Sequence, residues 1–205
     1  CRMCGPQSSS MWEEEIQEHS SHPRFDLKRI DTSDVYDIDL SNVAEISILG
    51  GEPSIDLEAR KFIDYIADND CTIVITTNAS NASKKWFDSL KRMKDLKIML
   101  SVDATGDMQD YQRSGSEWSS IKKNMIKYRD TFKNVRIHLS VTSMNFPVLD
   151  TWWDELLNLN ISMDFVVVHF PREYSLDVIP DSYKQAQIEW LDNWQSTLVD
   201  YSEVN

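Results

Sequence analysis

Five short β-branched runs, each followed by a helical pattern, constrain this chain more than any other feature. Glu45–Gly50 (EISILG), Thr72–Thr77 (TIVITT), Lys97–Asp103 (KIMLSVD), Arg136–Thr142 (RIHLSVT) and Met163–His169 (MDFVVVH) read as strands. Runs this short and apolar suit strands buried on both faces. Between them lie amphipathic helical patterns. Leu57–Asp68 places Phe62, Ile63 and Ile66 on one face, with Asp56 as its expected N-cap. Ser83–Lys94 aligns Trp86, Phe87, Leu90 and Met93, and Glu117–Phe132 aligns Trp118, Ile121 and Met125. Val148–Leu159 and Ser182–Tyr201 complete the set, the last with Ile188, Leu191, Trp194 and Leu198 at helical spacing. Strand alternating with helix predicts an α/β fold with parallel strands and right-handed crossovers. Periodicity leaves a barrel and an open doubly wound sheet as equal alternatives.

The segment before the first of these strands is less regular. SSSMWEEEIQEHSS predicts a short helix with Glu13, Glu14 and Glu15 in its first turn, and IDTSDVYDIDL predicts loop or turn. The 205 residues match one large domain or a piece of one, and 41% hydrophobic content supplies a sizeable core. A net charge of −13 argues against unspecific nucleic-acid binding, which needs a basic footprint. No apolar run is long enough to predict a membrane span, and the polar first residues predict no secretory leader. Three cysteines, Cys1, Cys4 and Cys71, argue against a disulfide scaffold and for a reducing, cytoplasmic setting.

In parallel α/β folds, chemistry gathers at the carboxyl ends of the strands. Gly50-Gly51-Glu52-Pro53 follows the first run, Asn78 the second, Ser101 and Asp103 close the third, and His169 closes the fifth. The glycines let the backbone turn and a ligand approach, and Glu52 presents a carboxylate to an ammonium group. Taken alone, this is also an ordinary strand-to-helix turn. Cys1-x-x-Cys4 alone fits half a zinc site, a redox pair or a chance spacing. His19 and His22 have ligand-like spacing but read as solvated. Cys71 precedes its strand and reads as a small buried hydrophobe; His138 reads as structural.

Together, CRMC, GGEP, TTNAS, SVDAT and YQRSGSEWSSIKKN resemble the core of the radical S-adenosylmethionine superfamily, in its members with a SPASM or twitch extension. The resemblance implies a partial (β/α)6 TIM-like barrel of parallel strands, first strand missing. It implies a core over 1–180, beginning inside the cluster-binding loop, and a C-terminal helix over 181–205 leading toward an extension. The third cluster cysteine is expected four positions before Cys1. The implied cofactors are a 4Fe–4S cluster and S-adenosylmethionine. The implied reaction is reductive cleavage of S-adenosylmethionine to a 5′-deoxyadenosyl radical, which abstracts hydrogen from an unidentified peptide or small molecule. A one-electron donor such as flavodoxin or ferredoxin is the implied partner.

On the same resemblance, Cys1 and Cys4 are cluster ligands, and Met3 shields the cluster edge. Glu52 accepts from the methionine ammonium, with Gly50, Gly51 and Pro53 shaping its loop. Asn78, Ser101 and Asp103 are candidates for ribose or carboxylate contacts. Arg113 pairs with the methionine carboxylate, and Val141 and Val168 flank adenine. His169, Arg172 and Tyr174 stand where substrate-facing residues or ordinary loop packing would be. The alternatives are a non-catalytic α/β scaffold without a cluster, and a zinc or redox protein using Cys1 and Cys4.

Overall fold

The computed structural model describes residues 1, 2, 4, 10–19 and 32–202. Five strands form one sheet: β1 (Glu45–Ile48), β2 (Thr72–Thr77), β3 (Asp95–Ser101), β4 (Val135–Val141) and β5 (Ser162–Val167). All neighbours are parallel, and the spatial order is the chain order. A doubly wound sheet reverses its strand order at a switch point. This sheet has no reversal, so the barrel-type alternative holds. The sheet does not close: among the described residues, β1 and β5 each pair on one side only.

Helix α1 (Ser10–His19) precedes the sheet, and the acidic segment Thr32–Asp37 forms a 3-10 helix where loop or turn is predicted. After β1 comes α2 (Leu57–Ile66), after β2 comes α3 (Lys84–Leu90), and after β3 come α4 (Gly106–Gln112) and α5 (Trp118–Thr131). After β4 comes α6 (Leu149–Leu157), and α7 (Asp181–Ser202) ends the described chain. Asp56 caps α2 by accepting from Ala59 N at 2.8 Å, as the sequence predicts. No helix among the described residues is long and apolar enough to cross a membrane.

The core lies between the helices and one face of the sheet. Ile73, Ile75, Ile98, Leu100, Ile137 and Leu139 from β2–β4 are fully buried there. They meet Ile63 and Ile66 of α2, Trp86 and Leu90 of α3, and Met125 and Tyr128 of α5. A polar link runs inside this apolar packing: Trp86 Nε1 donates to Tyr128 Oη at 2.6 Å, and Tyr128 Oη donates to Asn81 O at 2.7 Å. Burial pushes the Tyr128 phenol well above its ordinary pKa. At the far end, α7 packs on α6 through Trp194 against Trp153 at 5.6 Å between ring centroids.

The strands are not buried on both faces. Helices cover one face, and the other carries alternating half-exposed residues such as Lys97, Arg136 and His138. Arg136 donates to both Asp164 oxygens there, at 2.5 and 2.6 Å. Lys97 reaches Glu45 on the same face. The period-2 alternation of polar and apolar residues in β3 and β4 is the physical reason. At the edge strand β5, Phe165, Val166 and Val167 are exposed. Ile188 of α7, expected on the apolar face, is exposed too.

Candidate active site at the carboxyl rim

Cys1 and Cys4 share one turn, closed by Cys4 N donating to Cys1 O at 3.1 Å. Both are half-buried free thiols. Trp12 of α1 donates its Nε1 to Cys1 O at 3.0 Å. Arg2, between the two thiols, latches the turn to α4. Its backbone N donates to Gln112 O at 2.9 Å and its Nε to Tyr111 O at 2.7 Å. Its guanidinium lies 4.2 Å from the centroid of the Tyr111 ring. A cation at the carboxyl end of a helix meets carbonyls without helical partners, so this contact is favourable in charge as well as geometry. Met3 and His22 lie outside the described residues; His19 is exposed beside Glu18.

The Gly50-Gly51 turn has φ of +85° and +54°. An added Cβ at either position would meet nothing within 4 Å, so glycine is required here by the left-handed backbone and not by close packing. The turn delivers Glu52 to a buried position at 8% exposure, rather than to an open rim. Thr77 Oγ1 and Ser54 N donate to Glu52 Oε1 at 2.6 and 3.1 Å, and Asn78 N donates to Oε2 at 2.7 Å. A carboxylate offers about four acceptor positions, so three bonds leave room for one more donor. Pro53 and Ser54 are buried behind it. Asn81 Nδ2 donates to Ser54 O at 2.9 Å and ties the loop after β2 to the loop after β1. Ala79, between Asn78 and that bridge, holds φ +59°, a strained value for a residue with a Cβ.

At the end of β3, Asp103 is fully buried and binds Arg113 bidentately. Arg113 Nε donates to Oδ2 at 2.7 Å and Nη2 to Oδ1 at 3.1 Å. Ser140 N donates to the same Oδ1 at 3.3 Å. Two residues that the sequence assigns separately to a ligand are therefore bound to each other. Asp103 holds the guanidinium, and Arg113 keeps Nη1 without a hydrogen bond among the described residues. Ser101, half-buried, stands beside His138 in the β3–β4 register. Val141 and Val168 are joined directly, Val168 N donating to Val141 O at 2.9 Å. His169 and Arg172 are exposed, and Tyr174 O accepts from Ser143 N at 2.9 Å. Cys71 is buried at the amino end of β2, away from this rim.

These elements converge on a cavity of about 350 Å3. Its walls include Cys1, Asn78, Gln109, Arg113, Gly115 and Glu117. Cys1 of the turn thus shares a wall with Asn78, whose backbone N donates to Glu52. The thiol turn and Glu52 stand at the same end of the strands. Five buried side-chain polar atoms among the described residues lack a hydrogen-bond partner. Three of them, Ser54 Oγ, Gln109 Nε2 and Gln112 Nε2, belong to the segments following β1 and β3 at this rim. Of these three, only Gln109 Nε2 belongs to a residue that lines the cavity, and an unpaired buried donor is costly. Among the described residues no three His, Cys, Asp or Glu side chains form a metal-binding group. Two thiols on one turn fit two corners of an iron–sulfur cube.

No apolar periodicity marks α4, and Gln109 and Gln112 carry no hydrophobic signal of their burial. The available signal was Thr105 ahead of Gly106, an N-cap residue type before a helical start, although Thr105 makes no side-chain cap bond.

No family model matches the chain, and no curated protein matches it. Solved structures do. Streptococcus suis SuiB bound to S-adenosylmethionine superposes with a TM-score of 0.56 at 17% identity, covering 75% of this chain and 37% of SuiB. SuiB bound to its precursor peptide SuiA gives a TM-score of 0.57 at the same identity. Native anSMEcpe with bound AdoMet and a Cp18Cys peptide gives 0.52 at 14% identity, covering 64% of this chain and 42% of that one. TYW1 with a lysine–pyruvate adduct gives 0.52 at 16%, covering 73% of this chain and 50% of that one. The chain spans between about a third and a half of the length of these proteins. Its five parallel strands in chain order share the fold of the matching part of these structures.

Proposed function

We propose that this chain is the core of a radical S-adenosylmethionine enzyme acting on a peptide or a small molecule. The observation that carries the reading is the shared cavity: Cys1, Asn78, Gln109 and Arg113 line it together, with Glu52 bonded to Asn78 behind it. Cys1 and Cys4 would hold two irons of a 4Fe–4S cluster. When bound, that cluster supplies the electron that splits S-adenosylmethionine into methionine and the 5′-deoxyadenosyl radical that takes hydrogen from substrate.

The chain's own residues bind and orient. Glu52 is held in place by three donors and offers its remaining acceptor position to the methionine ammonium. Arg113 is aimed by Asp103 and offers Nη1 to the methionine carboxylate. Asp103 serves the guanidinium in place of the ribose. Ser101 and Asn78 offer polar contacts, and the bonded pair Val141 and Val168 forms the adenine-facing edge. The peptide class of substrate rests on SuiB and anSMEcpe, both solved with peptides. The electron donor is of the flavodoxin or ferredoxin class.

Anaerobic reconstitution with iron and sulfide tests this reading. The chain is expected to turn brown with broad charge-transfer absorption, and Cys1→Ser or Cys4→Ser to lose most of the iron. A protein that stays colourless, or that takes up stoichiometric zinc resistant to chelation, overturns it in favour of a scaffold or a zinc protein.

A further inference from the structure

We propose that Gln109 is a ligand-binding residue, whose side-chain amide donates to the carboxylate of the S-adenosylmethionine headgroup beside Arg113. This role rests on the assignment of the rim cavity to S-adenosylmethionine.

Gln109 is fully buried on α4. Its Oε1 accepts from two backbone donors, Asp103 N at 2.9 Å and Ala104 N at 3.1 Å. Two N–H groups require an oxygen, so the orientation of the amide is fixed by chemistry. The Nε2 end is then a donor, and it has no partner. A buried amide donor left unpaired is unfavourable, and an acceptor arriving in the site removes that cost.

Arg113, on the same cavity wall, carries the second unused donor. Glu117 also lines the cavity, and hydrogen bonds from the Ser119 and Ser120 hydroxyls hold its carboxyl below the usual range. An anionic group is repelled from the Glu117 side and drawn to the Gln109–Arg113 side. Two amide- and guanidinium-type donors together suit a carboxylate. The oxygen end of Gln109 also braces the backbone of Asp103, which in turn aims Arg113. One side chain therefore presents its own donor and steadies its neighbour's.

The test separates these two ends. Gln109→Glu keeps an oxygen for Asp103 N and Ala104 N but replaces the donor with an anionic oxygen. Binding of S-adenosylmethionine and of 5′-methylthioadenosine, which lacks the amino-acid headgroup, is measured on the reconstituted chain by titration calorimetry. The variant is expected to lose about tenfold or more in affinity for S-adenosylmethionine and to hold 5′-methylthioadenosine within about twofold. Gln109→Met brings no charge to the wall but removes the oxygen as well as the donor. The same contrast is expected, with the loss for S-adenosylmethionine arising from the missing donor and from the unbraced Asp103–Arg113 pair together. Equal losses for both ligands would mean a structural role and overturn the assignment, as would no loss for either. In both cases wild-type binding leaves the cavity assignment standing. A wild-type chain that takes up its cluster but binds neither ligand overturns the cavity assignment and the Gln109 role together.

Discussion

Replacing Asp103 by asparagine is expected to destabilise the fold by about 3 kcal/mol. Asp103 is fully buried, and its Arg113 partner is 14% exposed at the side chain. The carboxylate takes three bonds, from Arg113 Nε, Arg113 Nη2 and Ser140 N. Asparagine keeps one oxygen, which can serve Nη2 and Ser140 N. Its amide nitrogen then faces Arg113 Nε, donor against donor. A charge-assisted hydrogen bond contributes about 1.5–3 kcal/mol, and stranding one partner of a buried ion pair costs about 3–5 kcal/mol. The partial exposure of Arg113 lets water relieve some of this, which places the loss near the lower end of that range. For a chain of this size, such a loss lowers the melting temperature by roughly 6–12 °C. Urea unfolding followed by circular dichroism gives the free energy directly. The double variant with Arg113→Met is expected to recover most of the loss, because no buried charge is left unpaired. A loss below about 1 kcal/mol would equate the pair with a surface contact and refute the reasoning.

Two further outcomes are expected. Burial works to raise the Glu155 carboxyl, but hydrogen bonds from Lys122 and Trp118 outweigh it and lower its pKa in the folded state. A lowered folded pKa contributes stability above the unfolded value and loses it as pH falls, so the melting-temperature advantage over Glu155→Gln should shrink from about pH 6 to about pH 3; an advantage that grows on acidification would contradict the sign. Ala79→Gly relieves the +59° backbone angle and is expected to stabilise by about 1 kcal/mol in urea unfolding, whereas a destabilised variant would show that the angle is not strained.

Much of the sheet is legible in the sequence because its signal is local. Thr72–Thr77 reads as a strand from β-branched content alone, and its observed bounds are the same. The apolar stripes of α3 and α5 are equally direct, since Trp86, Leu90, Ile121 and Met125 recur at helical spacing and are buried. What escapes is whatever depends on polar burial. Helix α4 turns Gln109 and Gln112 inward, so hydrophobic periodicity has nothing to detect. The Asp103–Arg113 pairing escapes for a related reason. Each residue type suits a ligand on its own, and only tertiary geometry shows that one occupies the other. Glu52 follows the first strand in the sequence pattern, but its burial depends on Thr77 and Asn78, 25 and 26 residues further along.

The Arg2 latch has a mechanical consequence. The turn bearing both thiols is fastened to the last residues of α4, while Gln109 and Arg113 sit on and just beyond that helix. Sulfur ligands and amide donors therefore ride on a single lever. Any displacement of α4 carries the two sets together, so the spacing between them is conserved even when the rim itself shifts.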